Sequence, residues 1–190
     1  MGNSASIPTV HKGESKEPMA ETATDVIKRY LVDAIAAEKS FETQLTAFSK
    51  EGDNTQVQSL FSQHAQETKS QYERLTARLE ALGGSTSTAK TILAHLFSNT
   101  PKAASLGHEK EERTTQNLMI GYSVENSECA MYESLITAAQ AAGDTQTEQL
   151  AREIQGEERR TAEKIWSQIA PAARSAFQRV TSGASTSANA

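Results

Sequence analysis

The sequence has few of the residues that build sheets and disulfide frameworks. Only 5% of its 190 residues are aromatic, and it contains one cysteine, four prolines and ten glycines. The scarcity of aromatic residues and the abundance of Ala, Glu, Gln, Ser and Thr argue against a sheet protein and favour helices. The single Cys129 excludes an internal disulfide framework and fits a reducing, cytoplasmic location.

The chain also lacks a long apolar run and an excess of basic residues. No stretch approaches the roughly 18 consecutive apolar residues of a membrane span, and no signal-peptide core is visible near the N-terminus. The formal net charge is −5, which does not favour nucleic-acid binding. We therefore expect neither a membrane nor a nucleic acid as a partner.

Helical periodicity divides the chain into a tail, a bundle and a C-terminal segment. Residues 1–22 contain Pro8 and Pro18 without periodicity and are predicted to form a flexible tail. Residues 23–170 are predicted to form the bundle, with helices at about 23–50, 54–82, 111–142 and 145–170. Residues 171–190 are predicted to form a short helix, with Pro171 in its first turn, and a flexible end.

The lengths of the loops predict how the helices are connected. Short turns join the first helix to the second and the third to the fourth, so each pair is predicted to be an antiparallel hairpin. Residues 83–109 form a longer link with one short amphipathic stretch. Such a link can cross a bundle whose helices are about 40 Å long. Two hairpins joined by one long crossover indicate an all-α, ferritin-like four-helix bundle.

Each predicted helix places a carboxylate on its apolar face near mid-length. In the first helix, Glu38 occupies the missing position of a stripe that includes Leu31 and Leu45. The other three helices carry acids on the corresponding faces, which are Glu67, then Glu125 and Glu128, then Glu157 or Glu158. The acids lie at similar distances from the hairpin turns, so we expect them to meet at one level of the bundle.

Buried carboxylates need a compensating charge, because packing several of them in a dry core costs several kcal/mol each. Protons, basic side chains such as Arg74 and Arg159, or a cation could supply it. A divalent metal pair is the most economical, since carboxylates suit cations such as manganese and iron. For Glu38 taken alone, a glutamate at the edge of the bundle is the simpler interpretation.

Four segments carry a resemblance to a known family. They are YLVDAIAAEKSFETQL, HAQETKSQYERLTARLEAL, YSVENSECAMYESL and REIQGEERRTAEKIW, within residues 25–170. In order and spacing they resemble the bacterial ferritin-like stress-response proteins of the YciE/YciF type. The resemblance implies a four-helix bundle with an extra short helix, a dimer, and a carboxylate-rich centre similar to that of rubrerythrin.

The resemblance also implies roles for individual residues. The implied metal ligands are Glu38, Glu67, Glu125, Glu128 and either Glu157 or Glu158. Ser70 and Arg160 stand where the di-iron Glu-x-x-His pattern has its histidines, so the chain departs from that pattern. Three further residues are candidates for the surroundings of the ligands, namely His64, Gln71 and Tyr132.

These patterns support one preferred function and two alternatives. The preferred function is a cytoplasmic protein of oxidative or general stress that holds an iron or manganese pair, and an oxidase-like or peroxidase-like activity is left open. The first alternative is a metal-free bundle that acts by dimerisation or partner binding, and the second is a cage-type iron store. We also expect a homodimer that buries an apolar strip of the crossover, namely Ile92, Leu93, Leu96 and Phe97.

Overall fold

The described part of the chain, residues 21–86 and 110–187 of a computed structural model, is built from helices. The helices are α1 (Ala23–Phe48), α2 (Thr55–Ala81), α3 (Arg113–Ala142) and α4 (Thr145–Ser187). A single 3-10 turn, Lys110–Glu112, precedes α3. The predicted all-α class is therefore confirmed, and α1, α2 and α3 begin and end within two residues of the predicted positions.

Local capping residues determine where the two short turns lie. The side chain of Asn54 accepts hydrogen bonds from the backbone of Gln56 and Val57 and so caps α2. Gly143 ends α3 in the left-handed conformation, with φ of 68°. The next residue, Asp144, accepts a 3.0 Å hydrogen bond from the backbone N–H of Thr147 and begins α4. The chain therefore reverses sharply at both turns, as the hairpins require.

Contacts at the two ends of the bundle show how the hairpins are arranged. Near the end of α2, Nη2 of Arg78 lies 2.6 Å from Oδ1 of Asp144, in the α3–α4 turn. Near the start of α3, Nδ2 of Asn117 donates a 3.0 Å hydrogen bond to Glu51, in the α1–α2 turn. α2 therefore ends and α3 begins at opposite ends of the bundle, which is the arrangement that the predicted crossover requires.

Several predictions fall on residues outside the described ranges. The predicted short helix of the crossover and its apolar strip, Ile92, Leu93, Leu96 and Phe97, lie there, as does nearly all of the predicted N-terminal tail. The division of the chain into tail, bundle and C-terminal segment therefore stays a prediction at those places.

The fourth helix is longer than the sequence predicted. The prediction ended it at Ala170 and began a separate helix at Pro171, but α4 continues without a break to Ser187. Proline supplies no N–H to the carbonyl four residues earlier, which weakens the interior of a helix. Ala172 and Ala176 nevertheless continue the buried face of α4 beyond the proline. Packing against the bundle therefore outweighs the local preference for a break.

Two apolar clusters fill the interior and leave a polar layer between them. The cluster at the end that holds the α3–α4 turn includes Leu31, Leu75, Leu135 and Ile154. The cluster at the opposite end includes Phe41, Phe61, Leu118 and Ile165. On each helix, buried polar residues lie between the residues of the two clusters. The polar layer is therefore enclosed by apolar side chains above and below.

Candidate metal centre

Four carboxylates reach the interior at the level of the polar layer. Glu38 comes from α1, Glu125 and Glu128 from α3, and Glu158 from α4, and none of them is more than 1% exposed. Each takes the place of an apolar residue in a buried stripe, so the packing of its own helix turns it inward. The structure thus brings together acids from three helices that the sequence predicted to meet.

The remaining helix of the bundle, α2, contributes a histidine rather than a carboxylate to this layer. His64 is 2% exposed. Its Nε2 lies 2.6 Å from Oε1 of Glu125 and 3.9 Å from Oε2 of Glu158. One ligand atom from each of these three residues lies within 4.8 Å of the other two. An imidazole nitrogen and two carboxylate oxygens in such proximity form a donor set that divalent transition metals accept.

Many of the buried oxygen atoms have no hydrogen-bond partner. These atoms are Oε2 of Glu38, Oε2 of Glu125, both oxygens of Glu128 and Oε2 of Glu158. Buried polar groups are normally hydrogen-bonded, since leaving one unpaired costs about 1–3 kcal/mol. A cation between these oxygens would satisfy them together, so the residues present fit a metal centre.

The crowding of the acids is reflected in their pKa values. Burial, only partly offset by a hydrogen bond from Tyr132, raises the pKa of Glu38 to about 8. Burial and the charges of Glu38 and Glu125 raise the pKa of Glu128 well above its ordinary value. Burial and the close approach of Glu125 raise the pKa of Glu158 in the same way. Without a cation, burial therefore favours the protonated forms of these three groups.

The pKa of the histidine is also raised, but by its carboxylate neighbours rather than by burial. Burial disfavours the charged imidazole, but the negative charge of Glu125 and its hydrogen bond outweigh burial and raise the pKa of His64 to about 9. On the outer side of the ring, Nδ1 lies 3.7 Å from Oε2 of Glu67. This separation is longer than a hydrogen bond, so Glu67 acts on the ring through its charge.

Two neutral side chains orient the buried acids. The hydroxyl of Tyr132, which is fully buried, donates a hydrogen bond to Oε1 of Glu38. Nε2 of Gln71, also fully buried, donates to Oε1 of Glu158 and, at 3.1 Å, to Oε2 of Glu157. Each contact joins two different helices, so Tyr132 and Gln71 fix the positions of carboxylates that would otherwise be held only by their own helices.

The remaining two predicted ligands lie at the rim of the layer. The side chain of Glu67 is 37% exposed and faces Thr161 as well as His64. Glu157 is 20% exposed and forms an ion pair with Arg74. The sequence left open whether Glu157 or Glu158 faces the interior, and the structure places Glu158 there. Arg74, one of the basic side chains that the sequence offered as a compensating charge, pairs with Glu157.

The contact between His64 and Glu125 was not predicted from the sequence. The position of His64 on the stripe of α2 showed only that it faces inward, one turn before Glu67. On α2, the residues that face inward at this level are His64, Thr68 and Gln71. Glu67 is the neighbour of Thr68, and a shift of one residue turns a helical side chain by about 100°.

None of the helices in residues 21–86 and 110–187 combines the length and the apolar character that crossing a membrane requires.

Comparison with solved structures shows the same architecture in three bacterial proteins. A protein from Xanthomonas campestris pv. campestris is 26% identical with a TM-score of 0.69, over 84% of this chain and 98% of that one. The E. coli stress protein YciF is 23% identical with a TM-score of 0.73, over 82% and 99%. Dps from Staphylococcus aureus is 19% identical with a TM-score of 0.63, over 79% and 98%.

These similarities confirm the ferritin-like bundle and the resemblance to proteins of the YciE/YciF type. A family model described as a domain of unknown function, DUF892, matches residues 22–178, which include α1, α2, α3 and most of α4. The chain belongs to this DUF892 family.

Proposed function

We propose that the polar layer binds a pair of divalent iron or manganese ions and that the protein acts in the oxidative or general stress response. The ligands in this proposal are Glu38, Glu125, Glu128, Glu158 and His64. Glu67 and Glu157 lie at the rim, where they support His64 and Gln71. A ligating histidine usually donates its second ring N–H to a carboxylate, and Glu67 stands on that side of His64.

The observation that carries the proposal is the set of buried carboxylate oxygens without partners. When ionised, the four acids bring four negative charges into a layer enclosed by apolar clusters. In the described part of the chain, the basic group in direct contact with them is His64, whereas Arg74 pairs with Glu157 at the rim. Two divalent cations would balance four carboxylates and supply partners for the orphaned oxygens.

The chain's own residues would determine how such a centre behaves. The apolar clusters exclude bulk water from both sides of the layer, and Tyr132 and Gln71 hold Glu38 and Glu158 in place. Iron or manganese, when bound, would supply electrons for the reduction of dioxygen or a peroxide. An oxidase-like or peroxidase-like activity is therefore the reaction class to test. The description of the similar E. coli protein as a stress protein supports the proposed role.

Metal stoichiometry tests the proposal directly. Purified protein is stripped with a chelator, loaded anaerobically with Fe(II) or with Mn(II), desalted, and analysed for bound metal. We expect about two equivalents per chain. The change Glu128→Gln should lower the stoichiometry, whereas Glu73→Gln, which alters an exposed acid of α2, should leave it unchanged. Wild-type protein that retains no metal under any of these conditions would contradict the proposal and favour a metal-free bundle.

An exposed stripe on α4 supports a second proposal, that two copies of the chain form a homodimer. Trp166, Ala170, Ala173 and Phe177 are exposed and recur at helical spacing, and the two aromatic side chains are 62% and 69% exposed. The order of these side chains along α4 is symmetric, with an aromatic residue at each end of the stripe and the two alanines between them. In an antiparallel pair of α4 helices, Trp166 would face Phe177 of the partner subunit while the small alanines allow the helices to approach. Large exposed apolar side chains commonly mark contacts between proteins.

A further inference from the structure

The two hairpins are structural repeats with different inward side chains. Residue numbers at equivalent positions differ by 90, as for the capping residues Asn54 and Asp144 and for the buried acids Glu38 and Glu128. The same offset matches Thr68 with Glu158, both fully buried. It also matches His64 with the buried Ile154 of α4. The repeat therefore extends to only part of the polar layer.

This asymmetry divides the donor atoms into two unequal groups. In the first group, His64, Glu125 and Glu158 present a nitrogen and two carboxylates whose ligand atoms lie within 4.8 Å of one another. The other two buried acids, Glu38 and Glu128, present only oxygen. On α2, Thr68 holds the position at which the repeat would place a carboxylate equivalent to Glu158. His64 is the one histidine in the described ranges, so within them the second group has no nitrogen donor.

We propose that the centre has two chemically unequal positions, which fill in order. The position at His64, Glu125 and Glu158 binds a borderline transition-metal cation first. The position at Glu38 and Glu128 binds a hard cation second and more weakly. This inference rests on the proposed metal centre and adds to it the order and the selectivity of binding.

The chemistry of the ligands sets the selectivity. Imidazole suits cations such as zinc, iron and cobalt, whereas sites built only from carboxylates suit magnesium and manganese. The nitrogen-containing position is also better organised, because Gln71 holds Glu158 and Glu67 flanks the outer ring nitrogen of His64. The all-oxygen position has Tyr132 on Glu38, but both oxygens of Glu128 are without a hydrogen-bond partner. A mixed-metal centre is the expected consequence.

Titration of the metal-free wild-type protein tests this inference without any substitution. Zn(II) followed by calorimetry should give one tight equivalent that excess Mg(II) does not displace. Mn(II) added to the protein with one Zn(II) bound should then give one further, weaker equivalent, visible as loss of the free Mn(II) signal in electron paramagnetic resonance. Two Zn(II) equivalents of equal affinity would overturn the unequal positions and leave the proposed centre intact. Absence of any binding would overturn both.

Two substitutions should affect the two steps separately. His64→Gln should weaken the tight Zn(II) step by at least about 100-fold, since losing a ligand should cost no less than losing a residue that supports one, and it should leave the Mn(II) step. Glu128→Gln should remove the Mn(II) step and leave the tight Zn(II) step. Glu73→Gln should change neither. Circular dichroism of each variant establishes that it is folded. Loss of both steps together in either folded variant would refute the division into two positions.

Discussion

Nε2 of His64 on α2 lies 2.6 Å from Oε1 of Glu125 on α3, although the two residues are 61 positions apart in the chain. The contact joins the two hairpins through the middle of the polar layer. In the metal-free protein the contact raises the pKa of His64, and burial raises the pKa values of Glu38, Glu128 and Glu158. The stability of the metal-free fold should therefore depend on pH.

The metal-free protein should lose stability as the pH rises from 5 to 9. The folded-state pKa is about 8 for Glu38 and about 9 for His64, both above their ordinary values of 4.5 and 6.5. Between the ordinary and the raised values the folded state holds protons that the unfolded state has released. For each such proton, the free energy of unfolding falls by about 1.4 kcal/mol with every unit by which the pH rises.

Urea denaturation in the presence of a chelator, at pH 5.5, 7.0 and 8.5, measures this dependence. Saturating Mn(II) should flatten it, because a cation replaces the protons and stabilises the native state that binds it. A free energy of unfolding that is constant or increases between pH 5.5 and 8.5 without metal would show that the acids are not held as the structure places them.

Replacement of Glu128 by leucine should stabilise the metal-free protein and destabilise the metal-loaded one. Neither oxygen of Glu128 has a hydrogen-bond partner, so leucine removes a buried acid without breaking a hydrogen bond. At pH 8 we expect the free energy of unfolding to rise by about 1–4 kcal/mol, the range found when buried charges are replaced by apolar groups. With Mn(II) present, the variant should lack the stabilisation that metal binding gives the wild type.

Two further variants provide the comparison for Glu128→Leu. Glu38→Leu should stabilise less, since it leaves the buried hydroxyl of Tyr132 without its acceptor, at a cost of about 1–3 kcal/mol. Glu73→Leu, at an exposed position, should change stability by no more than about 0.5 kcal/mol. Melting temperatures of the three variants with and without Mn(II) decide the matter, and identical values for Glu128→Leu and Glu73→Leu would reject the buried-acid explanation.

Much of the fold could be predicted because it depends on local patterns. Periodic apolar residues and the turns at Asn54 and Gly143 define the hairpins, and the length of the link between them defines the crossover. The continuation of α4 through Pro171 could not be predicted this way. Proline predicts a break on local grounds, and only the packing of Ala172 and Ala176 against the rest of the bundle overrides it.

The sequence could predict which helix faces carry the site, but it could not predict which side chains contact each other there. A stripe shows that Glu38 and Glu128 face inward, because apolar residues flank each of them at helical spacing. It could not decide between Glu157 and Glu158, which lie on either side of the buried face of α4. Nor could it show that His64 meets Glu125, since that contact depends on how α2 and α3 are rotated relative to each other.

Gly52, in the α1–α2 turn, should tolerate alanine less well than Gly143, in the α3–α4 turn. Both have positive φ, 74° and 68°, so alanine is strained at both. A Cβ at residue 52 would in addition overlap Oγ1 of Thr114, whereas one at residue 143 would meet nothing within 4 Å. We expect a loss of about 1 kcal/mol for Gly143→Ala and about 2–3 kcal/mol for Gly52→Ala.

A double-mutant cycle separates strain from overlap at Gly52. Thr114→Ala removes the overlapping hydroxyl, so in that background Gly52→Ala should cost no more than Gly143→Ala. The readout is the free energy of unfolding from urea denaturation at constant pH. An equal cost of Gly52→Ala in both backgrounds would mean that the turn does not approach α3 as the structure shows.

The proposed dimer should dissociate when a charge is placed on the exposed stripe of α4. Wild-type protein at micromolar concentration should have twice the 20.5 kDa mass of the chain in light scattering. Trp166→Glu should give the monomer mass, because it buries an unpaired charge against the partner subunit. Gln178→Glu adds the same charge to α4 off the stripe and should remain dimeric.

Tryptophan fluorescence provides a second test of the dimer. Trp166 is the single tryptophan, so dilution of the wild type should shift its fluorescence to longer wavelength. A monomeric wild type, or emission that is independent of concentration across the dissociation range, would exclude this interface.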